Sequence, residues 1–123
     1  MTVSFRNAPP ERIHKMKDLP DEIVQAFING DAKNIGKYFN SSVELVFTES
    51  RGVYGKAQAE QILKNFFDNN AAANGKFGYK HLHSIDKNNV QYYIVELTGK
   101  GKYRINIFMK DQRIYEMRLE NND

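Results

Sequence analysis

The chain has no cysteine, no tryptophan, only three prolines, and no apolar run approaching membrane-spanning length. Without cysteine there is no disulfide framework, no thiol nucleophile and no thiolate metal site. Without an apolar run of about 20 residues there is no transmembrane helix. The opening MTVSFRNAPPERIHKMKD also lacks the apolar stretch of a secretory signal. Two locations stay open: the cytoplasm, or the periplasm or envelope after removal of an export signal. Few prolines and eight glycines, set against 41% hydrophobic and 12% aromatic residues, exclude a disordered or low-complexity chain. At 123 residues, one domain with a sizeable core is expected.

One-sided charge is scarce as well. The net charge of +3 comes from residues 1–17, where Arg6, Arg12, Lys15 and Lys17 stand against Glu11 alone. The remainder carries fourteen bases and fourteen acids. We therefore expect a flexible basic lead-in over 1–17 and a single domain over 18–123. Within that domain, residues 76–113 are basic by five, but Lys100 and Lys102 fall at a hairpin tip, where solvated lysines are ordinary. No nucleic-acid partner is expected from this distribution. Membrane contact is not expected either, although the lead-in is the segment that could reach an anionic surface.

What is present is periodicity. Leu19-Pro20-Asp21-Glu22 opens a helix, with proline at its start and acids at the positive end of the dipole. Ile23, Val24, Phe27 and Ile28 give that helix one apolar stripe, and Gly30-Asp31 ends it and caps the next. The second, short helix carries Ile35, Tyr38 and Phe39 as far as Asn40. Alternation over Ser42–Thr48 predicts a strand. Lys56–Asn70 reads as the longest helix, with Ile62, Leu63, Phe66 and Phe67 on its apolar stripe. Beyond Lys76 everything reads as strand and turn. Phe77, Tyr79, His81, His83 and Ile85 share one face of a strand that turns at Asp86–Asn89. The strands Val90–Thr98, Tyr103–Lys110 and Arg113–Glu120 follow, making an antiparallel meander. Helices first and strands after predict an α+β fold.

Gly52-Val53-Tyr54-Gly55-Lys56, between a strand and a helix, has the outline of a phosphate-binding loop. That loop needs four residues between its glycines, then Lys and a hydroxyl residue for Mg²⁺. Here Val53-Tyr54 alone separate the glycines, and Ala57 follows Lys56. The amide ring cannot close, so the stretch is a tight connection with Gly55 near the N-cap.

The order helix, helix, strand, long helix, four-stranded meander resembles the nuclear transport factor 2-like (cystatin-like) superfamily. In that superfamily a strongly bent sheet wraps the long helix into a cone. Leu19–Phe47 resembles its opening helices, with a Gly-Asp step followed by an aromatic and the first strand. Gly52–Phe67 resembles its glycine-then-helix junction. More narrowly, Leu19–Glu120 resembles a family of uncharacterised small bacterial proteins that usually carry export signals. The resemblance implies two short N-terminal helices and one long helix packed on a strongly curved antiparallel sheet. It also implies a pocket at the open end of the cone and a homodimer formed through the sheet. Function does not follow, because this fold hosts isomerases, dehydratases, transport factors and binding modules.

Three groups of residues could carry chemistry. His81 and His83, two apart on a strand, would face one side, and Glu96 on the neighbouring strand would reach them. They are the candidate acid–base residues, with Tyr92 as a donor; a metal would need a further ligand of known placement, so none is expected. Tyr92, Arg104 and Asn106, with Glu96, Glu116 and Arg118 nearby, are the candidate ligand-binding groups in the cone. The superfamily's isomerase pattern places a tyrosine on the first helix, where this chain has Phe27, and acids on sheet positions. Glu44 lies opposite the Val43, Leu45 and Phe47 face, so those roles do not transfer. No cofactor is expected. The reading is a non-enzymatic domain that binds a small molecule or a protein in or beside the cone; the alternative is a ketosteroid-isomerase-like isomerase or lyase using His81, His83 or Glu96.

Overall fold

A computed structural model describes residues 17–47 and 50–121. The lead-in expected at 1–17 lies outside the described residues except for Lys17, and so does Thr48, the expected end of the first strand. Helix α1 (Asp21–Asn29) begins after Pro20 with Asp21 and Glu22 in its first turn. It stops at Gly30, whose φ of 62° is left-handed and lets its N–H reach back to the Ala26 and Phe27 carbonyls. Asp31 then caps α2 (Ala32–Gly36) by accepting a hydrogen bond from the Asn34 N–H at 3.2 Å. This helix is shorter than expected. Tyr38 is a turn residue, and strand β1 (Phe39–Val46) takes Phe39 and Asn40.

The glycine stretch is itself a strand. β2 (Arg51–Gly55) runs antiparallel to β1, with Ser42 opposite Gly55 and Val46 opposite Arg51. Alternation was hidden there because β2 is an edge strand and buries none of its residues. Gly55 is the N-cap of α3 (Lys56–Asn70), which follows with no intervening loop. Strands β3 (Gly78–Lys87), β4 (Val90–Thr98), β5 (Lys102–Lys110) and β6 (Arg113–Asn121) form the meander. The six-stranded sheet has the order β2-β1-β6-β5-β4-β3. Its one departure from the expected antiparallel pattern is β1 beside β6, which pair parallel. Register shifts in β1–β6, β3–β4 and β5–β6 bend the sheet, which curls round the helices without closing.

The helices lie on one face. Ala59, Leu63 and Phe67 of α3 fall at successive i, i+4 positions and are fully buried or nearly so. They meet Ile23 and Phe27 of α1, and Val95, Leu97, Ile105, Ile107 and Met117 of the sheet, in one core. Burying a side chain the size of Phe67 contributes about 1.5–3 kcal/mol. Such packing must hold α3, because its N-cap makes no side-chain hydrogen bond and its first turn carries no acid. Main-chain bonds fasten the layers: the Phe77 N–H donates to the Ile28 carbonyl (2.9 Å), and the Lys100 N–H to the Asn70 carbonyl at the end of α3 (2.8 Å).

Candidate functional site

A cleft of about 570 Å³ opens at one end of the curled sheet, between Phe47 and Ser50, the C-terminal half of α3 and the edges of β5 and β6. Two ridges of α3 form one wall. Ile62, Phe66 and Asn70 make the first by i, i+4 spacing, and Asn65 and Asn69 make the second. Phe66 sits at the centre of the apolar floor. It meets Phe47 edge-on at 5.5 Å and Tyr103 edge-on at 5.2 Å, and its inner side stacks on Phe77 at 6.3 Å. Leu119 extends the floor, while Ser50 and Asn121 stand on the opposite rim.

Asn70 pins this arrangement. Its amide nitrogen donates to the Phe66 carbonyl (2.8 Å), and its oxygen accepts from the Tyr103 hydroxyl (2.9 Å). These two bonds fix the Asn70 side chain as part of the wall. Asn65 accepts from Gln61 at 3.1 Å and keeps its amide hydrogens. Among the described residues, no side chain lining the cleft carries a charge. Sequence reasoning missed all of these residues. The signal was the run KNFFDNN, whose asparagines are poor helix formers placed on an otherwise well-formed helix.

The residues expected in the cone lie elsewhere. Tyr93, Val95 and Leu97, and Tyr103, Ile105, Ile107 and Met109, face the helices, so their neighbours face away. Tyr92, Arg104 and Asn106 therefore occupy the outer face of the sheet, not the cleft. There Tyr92 pairs with Phe108, Glu96 with Arg104, and Asn106 with Ile94 and Arg118. Tyr92 stacks on Phe108 at 5.0 Å, and Phe108 meets Tyr115 at 6.0 Å. Arg118 pairs with Glu116 at 3.2 Å. The Arg104 Nε and Asn106 Oδ1 atoms are shielded from solvent without a hydrogen-bond partner.

The two histidines do not share a face. A bulge at Leu82 puts His81 opposite Val95, on the helix side, and His83 opposite Ile94, on the outer side. The expectation of one shared face rested on strict alternation, which one extra residue inverts. Glu96 pairs with Lys80 and Arg104 on the outer face, across the sheet from His81. Below His81 a different polar group forms. The Tyr79 hydroxyl donates to Asp18 at 2.6 Å, and Ser84 donates to the Lys17 carbonyl at 2.7 Å, holding the chain before α1 against β3. Burial, and then that bond to Asp18, push the Tyr79 phenol well above its ordinary range, and burial also raises Tyr93. Tyr38 is raised by the Glu22 carboxylate that accepts from its hydroxyl at 2.7 Å. Among the described residues no cluster of His, Asp and Glu is placed to hold a metal, and no helix is long and apolar enough to cross a membrane.

A long helix wrapped by a curled sheet, with an open-ended cleft between them, is the nuclear transport factor 2-like α+β architecture. A nuclear transport factor 2-like protein of unknown function from Burkholderia xenovorans shares it at a TM-score of 0.59 and 11% identity, over 84% of this chain and 79% of that one. Within that class the chain belongs to the family described as a domain of unknown function, DUF4783, whose profile matches residues 20–120. A crystal structure of a DUF4783 protein from Bacteroides ovatus superposes with a TM-score of 0.76 at 24% identity, covering 85% of this chain and 96% of that one. Another, from Bacteroides fragilis, gives 0.74 at 25% identity, covering 85% and 100%. No curated protein matches the sequence.

Proposed function

We propose that this domain is a binding module, not an enzyme, and that it takes a small ligand in the cleft beside α3. The observation that carries the reading is the cleft itself: an aromatic floor centred on Phe66, with a rim of amides and a hydroxyl. Pockets of about 300–1,000 Å³ with an apolar base and a few polar groups are typical ligand sites. Acid–base catalysis would need a free titratable group within hydrogen-bonding reach of the ligand; among the described residues the titratable group lining this cleft is Tyr103, whose hydroxyl already donates to Asn70. A thermal-shift screen against a metabolite collection, run in parallel on wild type and Asn69→Trp, tests it. Asn69 is exposed on α3, so an indole there fills the cleft without disturbing the core. Hits that stabilise wild type and lose their effect in Asn69→Trp are expected. Hits that stabilise both equally count against the cleft, and turnover abolished by His81→Ala or His83→Ala refutes the non-enzymatic reading.

The outer sheet face supports a second reading, a homodimer formed through it. Tyr92, Phe108 and Tyr115 form an aromatic strip on a face that none of the described residues covers, with Tyr92 49% exposed. The face carries both signs of charge, Glu96 and Glu116 with Arg104 and Arg118, as a surface that pairs with its own copy requires. Sedimentation equilibrium would give a dimer for wild type and a monomer for Tyr92→Lys; identical masses for the two contradict it.

A further inference from the structure

We infer that the cleft selects a neutral, polyhydroxylated ligand, a short oligosaccharide; the inference rests on the cleft being the binding site. Among the described residues the lining is uncharged. A site for an anion or cation offers an opposite charge or a fan of buried donors, and this one offers carboxamides and a hydroxyl. A carboxamide carries a donor and an acceptor side by side, as does each pair of neighbouring hydroxyls on a sugar ring. Subtracting the bonds already made leaves the Asn65 amide hydrogens, the whole of the Asn69 and Asn121 amides, and the Ser50 hydroxyl. Asn65 and Asn69 lie one helical turn apart, so two amides point into the cleft from a rigid element.

The floor completes the match. A pyranose has apolar C–H faces as well as hydroxyls, and Phe66 with Phe47 supplies an apolar surface beneath the amide rim. The same rings argue against a nucleobase. A base held between parallel aromatic faces finds no slot here, because Phe66 meets Phe47 and Tyr103 at 79° and 85°, and the ring that it stacks on, Phe77, belongs to the core. A purely apolar ligand is disfavoured too, since entry would desolvate amides and return no hydrogen bond. The volume of about 570 Å³ and the open end fit several linked sugar rings with the chain running outward.

Isothermal titration calorimetry on the full chain decides it, with maltotriose, cellotriose and diacetylchitobiose as neutral probes, a galacturonic-acid trimer as the charged one, and progesterone as the apolar one. At least one neutral sugar should bind and the acidic trimer should not. Asn69→Leu and Asn65→Leu should each weaken that binding about tenfold, the loss of one well-made hydrogen bond with its partner left unpaired. Both sites are exposed and leucine is the better helix former, so the unfolding midpoint should not fall. Binding of progesterone or the acidic trimer, with an affinity indifferent to Asn69→Leu, overturns the saccharide assignment while leaving a ligand site in the protein. No heat from any probe also overturns it. If hits in the metabolite screen stabilise wild type and Asn69→Trp equally, the cleft reading falls as well.

Discussion

Gly99→Ala tests how the meander is locked to the long helix. A Cβ at Gly99 would lie 2.1 Å from the Asn70 carbonyl oxygen and 2.8 and 3.0 Å from two carbons of the Phe77 ring. Unstrained contacts of this kind fall at about 3.5–4.0 Å, so the end of α3 and the β4–β5 turn would have to separate by more than an ångström or so. The displaced carbonyl also accepts from the Lys100 N–H at 2.8 Å. Losing that bond costs about 1 kcal/mol. Forcing a group into a filled space costs about 1–3 kcal/mol more, for a total near 2–4 kcal/mol. Urea unfolding followed by tyrosine fluorescence and far-ultraviolet circular dichroism gives the number directly. Gly78→Ala serves as the control, because its Cβ would meet Thr98 at an ordinary 3.5 Å. The side chain of Asn70 also holds Tyr103 in the cleft wall, so ligand affinity should fall along with stability. A Gly99→Ala protein within about 0.5 kcal/mol of wild type, the range of a neutral surface change, would refute the docking of this turn on the helix.

Three further substitutions follow from local geometry. Gly55→Ser should stabilise by about 0.5–1 kcal/mol, since the N-cap of α3 has an extended backbone, open space and no side-chain bond; an unchanged urea midpoint contradicts it. Gln112→Gly should stabilise by a similar amount, about 0.5–1 kcal/mol, because Asp111 and Gln112 hold φ of 51° and 64° in a two-residue turn that favours glycine. Tyr79→Phe should cost about 1–2 kcal/mol near neutral pH through loss of the bond to Asp18. The folded-state phenol titrates above its unfolded value near 10, so its contribution is whole below about pH 10 and lost as pH rises beyond it. Stability curves of wild type and Tyr79→Phe should converge on the alkaline side; parallel curves contradict the assignment.

The parts of the fold legible in the sequence were those with one strong period. The α3 helix is bounded by Gly55 and its apolar stripe, and the last three strands alternate cleanly, so their limits came within a residue of those observed. The Gly30-Asp31 junction was legible because a left-handed stop and an N-cap are written by residue type. What stayed hidden depended on partners far away in sequence. Arg51–Gly55 is a strand only because β1 pairs with it, and β1 lies parallel to β6 because the sheet curls. The Leu82 bulge has no signature in residue type, yet it sends His81 and His83 to opposite faces and dissolves the constellation that looked most like chemistry. Polar strand residues such as Arg104 and Asn106 were placed in the cone because polarity was visible while sheet orientation was not. The asparagines of α3 carried no periodic signal of their own, and only the fold shows Asn65 and Asn69 facing a cleft.

The most direct test is where a bound small molecule perturbs the chain. Nuclear magnetic resonance titration of the isotope-labelled protein, with assigned backbone and asparagine side-chain amides, reads this residue by residue. The account predicts that ligands from the screen shift the side-chain amides of Asn65, Asn69 and Asn121 and the backbone near Ser50, leaving β3 unmoved. Shifts centred on His81 and Tyr79, or on Tyr92 and Asn106 across the sheet, with the α3 asparagines silent, would contradict it.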